Sequence, residues 1–240
     1  MTPDRLRVLF FAPTLGDGGA DRVVIALLRH LDRSRFRPAL AVMRREGALA
    51  GEVPADVELH ELGTPRLAVS APALARVVRA TRADVVFSTH GGSNIIAALA
   101  HALARSRARL ILSERSALVR ADRSALRRAL EIPAKRWTYR RADLVTAVSA
   151  GVARQLASLL RLAEAKIRVV YNPMVDDELG ARAAERVDHP WFGETTPVIV
   201  AVGRLVAIKD YPTLLRAFAA IRAARPARLV VLGDGPLRGE

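Results

Sequence analysis

Short apolar runs alternate with helix-length amphipathic stretches over the first three quarters of this chain, and that alternation narrows the fold more than any other feature. The runs Leu6 to Ala12, Arg37 to Met43, Val57 to Leu59, Asp84 to Ser88, Arg109 to Ser113, Leu144 to Ala147 and Ile167 to Val170 have strand length. Helical spacing fills the intervals, at Ala20 to Leu31, Ala71 to Thr81, Ser93 to Ala104, Ser124 to Tyr139 and Ala150 to Leu160. Strands separated by helices pair in parallel, because the returning helix must cross the sheet. The pattern predicts a doubly wound α/β domain over residues 1–175.

Residues 176–195, with several charges and the D-H-P-W-F-G run, read as a linker. The alternation then restarts over 196–240 with a strand from Pro197 to Val202, a helix from Tyr211 to Ala224 and a strand from Ala227 to Leu232. Two strands and one helix cannot enclose a core. This second unit is expected to expose apolar strand faces and unpaired edges, as the start of a domain that breaks off.

The 240 residues are 51% apolar, ample for a core. There is no cysteine, which excludes disulfides, thiolate metal sites and thiol nucleophiles. The five histidines lack metal-ligand spacing, so neither metal nor cofactor is expected. No apolar segment reaches the length of a membrane span, and the first apolar run is too short for a signal peptide before Pro13 and Gly16 interrupt it. A cytoplasmic protein, peripheral at the inner face of the cytoplasmic membrane, is the expectation.

The formal charge of +14 is unevenly placed. Nine basic residues between Arg115 and Arg141 face only Asp122 and Glu131, and Leu118, Leu126, Leu130, Ile132, Trp137 and Tyr139 are interleaved among them. Such a basic amphipathic segment fits an anionic membrane surface, and equally a solvated helix whose apolar side packs on the domain. With aromatics at 5% and no helix-turn-helix or RNA-binding signature, nucleic acid is not expected.

Ligands of open α/β sheets sit at the carboxyl ends of strands. The loop after the first strand, P13-T-L-G-D-G-G-A-D-R22, offers Gly16, Gly18 and Gly19 for close backbone approach to a phosphate or sugar. It fails the G-x-G-x-x-G dinucleotide pattern, with Asp21 where the third glycine would stand, and it is not a P-loop. Further strand ends present His90 between Thr89 and Gly91, Glu114 with Arg115, and Asn172 before Pro173. In the second unit, V202-G-R-L-V-A-I-K-D210 places Arg204 and Lys209 between a strand end and a helix start. Arginine grips phosphate oxygens bidentately and lysine adds a compact charge, so the pair suits a diphosphate. Only three lysines occur among 38 basic residues, which gives Lys209 extra weight. Asp210 is expected to cap the following helix.

The G-G-A-D-R loop, the Y-N-P-M-V-D hinge, V-G-R-L-V-A-I-K-D-Y-P-T-L-L-R-A-F and L-G-D-G-P-L-R together resemble glycosyltransferase family 4. The resemblance covers the whole chain. It implies a GT-B fold of two Rossmann-like domains and transfer of a sugar, with retention, from a nucleotide-sugar donor, without a metal in the site. Arg204 and Lys209 would hold the donor diphosphate and stabilise its departure, while Gly18 and Gly19 approach donor or acceptor. The acceptor would be a glycan or lipid-linked, since S113-E-R-S116 resembles a branch acting on lipid-linked oligosaccharides. Two departures stand out. Many members carry histidine where this sequence has Glu114-Arg115, and members continue past L-G-D-G-P into an E-x7-E motif that is absent here. A chain cut short in this way is expected to lack half the donor pocket. The runner-up from another class is a noncatalytic protein that binds anionic lipid or glycan; a nucleotide-dependent oxidoreductase would need the fingerprint that the Gly16 loop lacks.

Overall fold

A computed structural model of the chain describes residues 5–16, 18–116, 125–173 and 177–239, with the side chains of 125–130 and 177–178 outside that description. The chain divides into two compact units, 1–175 and 176–240.

The first unit runs β1 (Leu6–Phe11), α1 (Gly19–His30), β2 (Phe36–Val42), β3 (Glu58–Glu61), α2 (Ala71–Thr81), β4 (Val85–Thr89), α3 (Gly91–Ala104), β5 (Arg109–Glu114), α4 (Ala125–Arg141), β6 (Leu144–Ala147), α5 (Ala150–Leu160) and β7 (Ile167–Val169). All seven strands form one parallel sheet in the order β3-β2-β1-β4-β5-β6-β7. The alternation of side chains along β1 explains why both faces are covered. Leu9 and Phe11 enter one buried cluster with residues of α2, α3, α4 and α5, while Val8 and Phe10 enter a second with α1. Each fully buried Leu or Phe contributes about 1.5–3 kcal/mol relative to exposure, so these faces hold the sheet. β3 lies slightly later than its apolar pattern predicts because it is an edge strand, where backbone pairing of Ala39 with Glu58 sets the register of half-exposed side chains.

The second unit contains α6 (Asp177–Ala183), β8 (Val198–Val202), α7 (Tyr211–Ala224) and β9 (Arg228–Leu232). β8 and β9 form a parallel two-stranded sheet. Among the described residues of this unit only Ala227 is a buried hydrophobic, and Val202, Ile208 and Leu232 are exposed. A strand-helix-strand segment offers too little apolar surface to close over itself, as the pattern predicted. One expectation fails in detail: Asp210 precedes α7 in a left-handed conformation (φ 51°, ψ 47°), and its side chain caps nothing. That backbone turn aims its carbonyl, rather than its carboxylate, at the amides of Thr213 and Leu214.

Among the described residues no helix is long and apolar enough to cross a membrane, and no three His, Asp or Glu side chains gather as metal ligands.

Candidate functional site

The strand order reverses direction between β1 and β4. From β1 the chain moves outward to β2 and β3, then returns to β4 on the other side and proceeds to β7. The loops leaving β1 and β4 therefore diverge and open a crevice at the carboxyl edge, where ligands of such sheets bind. The glycine loop stands on one side of it. Gly18 begins α1 without a side-chain cap, its carbonyl accepting from the amides of Asp21 and Arg22, and a side chain at Gly19 would meet open space. Gly16 and Gly18 both pack beside Asp21: a Cβ on Gly16 would stand a slightly tight 3.3 Å from Asp21 Oδ2, and one on Gly18 an ordinary 3.6 Å.

His90 stands on the other side, at the start of α3, with φ 80° and ψ 139°. A non-glycine residue there bears about 1–3 kcal/mol of strain, a cost that tends to gather at functional positions. Its Nδ1 lies 2.8 Å from the Thr89 carbonyl oxygen. A carbonyl only accepts, so Nδ1 carries a proton and Nε2 is left to meet a ligand.

At the end of β5 the structure separates two residues that the sequence presents together. Glu114 turns inward and is fully buried. Its Oε2 accepts from the Tyr139 hydroxyl at 2.6 Å and from Lys135 Nζ at 3.4 Å, and its Oε1 accepts from Ser116 Oγ at 3.3 Å. Asn94 Nδ2 bridges the Tyr139 hydroxyl (2.8 Å) and the Ser113 carbonyl (3.0 Å). Burial first, and the Glu114 charge second, push the Tyr139 hydroxyl pKa well above its ordinary value of 10.0. A Cβ on Gly91 would stand 2.6 Å from Lys135 Nζ, so a side chain there would displace the end of Lys135 from this cluster. The expectation that Glu114 meets substrate is therefore corrected: a carboxylate with no exposed surface and three donors is spent on the scaffold. Lys135 is likewise not a surface cation of the basic segment.

Arg115 turns outward, and its guanidinium donates to Asn172 Oδ1 at 2.6 Å, joining the end of β5 to the loop after β7. Burial lowers the Arg115 pKa from its ordinary value. Its Nε is buried with no partner among the described residues. Farther along the basic segment Arg141 lies over the Trp137 ring at 3.8 Å, and both face outward. The side chains of Arg120, Arg123, Arg127 and Arg128 fall outside the described residues.

In the second unit the ends of β8 and β9 meet through glycine. A Cβ on Gly233 would stand 1.9 Å from the Gly203 carbonyl oxygen, so only glycine permits that approach. The Tyr211 hydroxyl donates to the same carbonyl at 2.8 Å. Arg204 and Lys209 stand exposed beside this junction, with no ion pair among the described residues.

A model of the family described as Glycosyltransferase Family 4 matches residues 17–178. The chain belongs to that family. A curated relative from Campylobacter jejuni, N-acetylgalactosamine-N,N'-diacetylbacillosaminyl-diphospho-undecaprenol 4-alpha-N-acetylgalactosaminyltransferase, is 26% identical over 96% of this chain and 63% of its own length. Among solved structures, Anabaena HepE in complex with UDP and glucose superposes with a TM-score of 0.68 at 19% identity, over 96% of this chain and 62% of that one. Sucrose-phosphate synthase from Thermosynechococcus elongatus superposes at 0.69 with 15% identity, over 98% and 64%. The chain thus spans less than two thirds of the length of these relatives. The fold is of GT-B type, a Rossmann-like domain followed by the β-α-β start of a second.

Seen as a family 4 glycosyltransferase, the chain brings Arg115 to Asn172 and sets His90 across from the glycine loop, but withdraws Glu114. Sequence reasoning missed Lys135 and Tyr139 as its partners, and Asn94, which holds the Tyr139 hydroxyl. One signal was available: Lys135 is among only three lysines in an arginine-rich chain.

Proposed function

We propose that this protein takes part in transferring a sugar, with retention of configuration, from a nucleotide-diphosphate donor to a lipid-linked or other glycan acceptor. The observation that carries the reading is the exposed, unpaired pair Arg204 and Lys209 at the carboxyl end of β8, beside the amino end of the 14-residue α7. In a family 4 member such cations hold the diphosphate and stabilise the charge that builds as it leaves. The amino end of the α7 dipole adds positive potential on the same side. A relative that acts on a diphospho-undecaprenol acceptor, and a structural neighbour crystallised with UDP and glucose, support the two substrate classes.

The first unit would receive the acceptor. Gly16, Gly18 and Gly19 line one wall of the switch-point crevice, His90 offers Nε2 to a hydroxyl from the other, and Arg115, steadied by Asn172, supplies a cation at the same edge. Glu114 would act as a positioning residue, fixing the β5 end from which Arg115 projects. Outward Trp137 and Arg141 support contact with an anionic membrane surface at the cytoplasmic face, where a lipid-linked acceptor resides. No metal enters this reading.

Titration of the chain with UDP tests it. Arg204→Ala and Lys209→Ala should each weaken binding about tenfold or more, since each removes a charge-assisted contact. Equal affinity in both variants would contradict the assignment.

A further inference from the structure

The edge of the sheet opposite the switch-point crevice carries a second basic concavity. A cavity of 860 Å³ opens at the amino ends of β1, β4 and β5, between the carboxyl ends of α2 and α3. Five arginines line it, and its only carboxylate is Asp84.

That carboxylate is fully committed to one of the five. Asp84 Oδ2 accepts from Arg7 Nε at 3.0 Å and from the Arg7 amide at 2.8 Å, and Oδ1 accepts from the other arm of the guanidinium at 2.9 Å. Arg79 is spent on the end of α3, donating to the carbonyls of Leu103 and Ala104. Arg82, Arg107 and Arg109 remain, exposed and without a side-chain partner among the described residues. Some surface arginines of this chain find carboxylates, Arg29 with Glu52, Arg33 with Asp56 and Arg228 with Glu194, while others such as Arg204 stand without an ion pair among the described residues. What sets Arg82, Arg107 and Arg109 apart is that all three line one concavity. The two helix ends each offset about half a charge, which leaves the concavity at about +3. Its floor is apolar, from Val78, Val85, Ala108 and Ile111.

We propose that this cavity binds a diphosphate-bearing small anion, at a site separate from Arg204 and Lys209. Guanidinium forks grip phosphate oxygens bidentately, and three of them around one cavity match the charge of a diphosphate. The apolar floor accommodates an organic group attached to it. This inference does not rest on the transfer reading, because the cavity lies at the edge away from the strand carboxyl ends.

Calorimetric titration of the full 240-residue chain with inorganic diphosphate at low salt tests the site, in an Arg204→Ala/Lys209→Ala background that silences the other candidate. Saturable binding is expected, weakened about tenfold or more by Arg107→Gln/Arg109→Gln and less by Arg107→Lys/Arg109→Lys, which keeps charge but loses the fork. These exposed positions should leave the melting temperature unchanged; should the glutamine pair fail to fold, the lysine pair carries the comparison. No saturable binding, or binding indifferent to both substitutions, overturns the proposal. In a parallel arm, vesicles containing phosphatidic acid are sedimented with the same proteins. Arginine-dependent binding to vesicles without binding of free diphosphate would make the patch a lipid-surface contact and overturn the small-anion site.

Discussion

Charge is handled in opposite ways at two strand ends of this molecule. At the end of β5, Glu114, Lys135 and Tyr139 are buried and satisfy one another. At the end of β8, Arg204 and Lys209 stand in solvent with no partner among the described residues. A buried ion that lost its partner would cost several kcal/mol, so the first group must be closed and can only hold shape. An exposed cation costs little unpaired and remains free for a ligand. Residue types alone do not distinguish the two; burial does.

That contrast is broken most directly at Glu114. Replacement by alanine strands a buried ammonium and a buried hydroxyl, and should destabilise the protein by about 3 kcal/mol in chemical denaturation, the low end for a broken buried pair. The low end applies because Glu131, 3.6 Å from Lys135, keeps part of the compensation. A loss below about 1 kcal/mol would mean that the cluster is solvated and the contrast false. Arg204→Ala should do the reverse, leaving the denaturation midpoint unchanged while costing UDP affinity about 1.5–3 kcal/mol, the range for hydrogen bonds to charged groups.

Tyr139→Phe sharpens the comparison through pH. Removing the hydroxyl should cost about 1–2 kcal/mol at neutral pH, because Glu114 loses its shortest donor. The folded pKa is raised, so the unfolded chain ionises first as pH climbs past 10.0. Stability is fully present below that value and falls as pH rises toward the folded pKa. Alkaline unfolding curves of the phenylalanine variant should lack this component.

The smallest effect is expected at Asp84, whose pKa is lowered chiefly by the hydrogen bond from Arg7. Its contribution is present above the ordinary carboxylate pKa and is lost as pH falls through the lowered value. Both partners are about a third or more exposed, so Asp84→Asn should cost about 1 kcal/mol or less, read by thermal melting at pH 7 and again in acid.

Much of the fold was legible. The strand at Leu144–Ala147 and the helices at Ala71–Thr81, Ala150–Leu160 and Tyr211–Ala224 coincide with their sequence patterns, because local periodicity sets element type. The helix ending at Arg141 runs two residues past its predicted end, where Arg140 and Arg141 are polar and give no apolar signal. The candidate site was legible only as a set of strand ends. Arg115 and Asn172 were both named, but their hydrogen bond spans 57 residues of sequence and exists because β5, β6 and β7 lie in that order.

By itself, the sequence determined the α/β alternation, the family, and the thinness of the second unit, since each follows from local pattern or from the amount of apolar surface available. Tertiary structure alone decided that of two adjacent residues Glu114 is sealed inside while Arg115, half-buried, reaches Asn172. β5 ends at Glu114, so Arg115 leaves the sheet where the chain turns away, and nothing local reveals that Lys135 and Tyr139 wait beside Glu114.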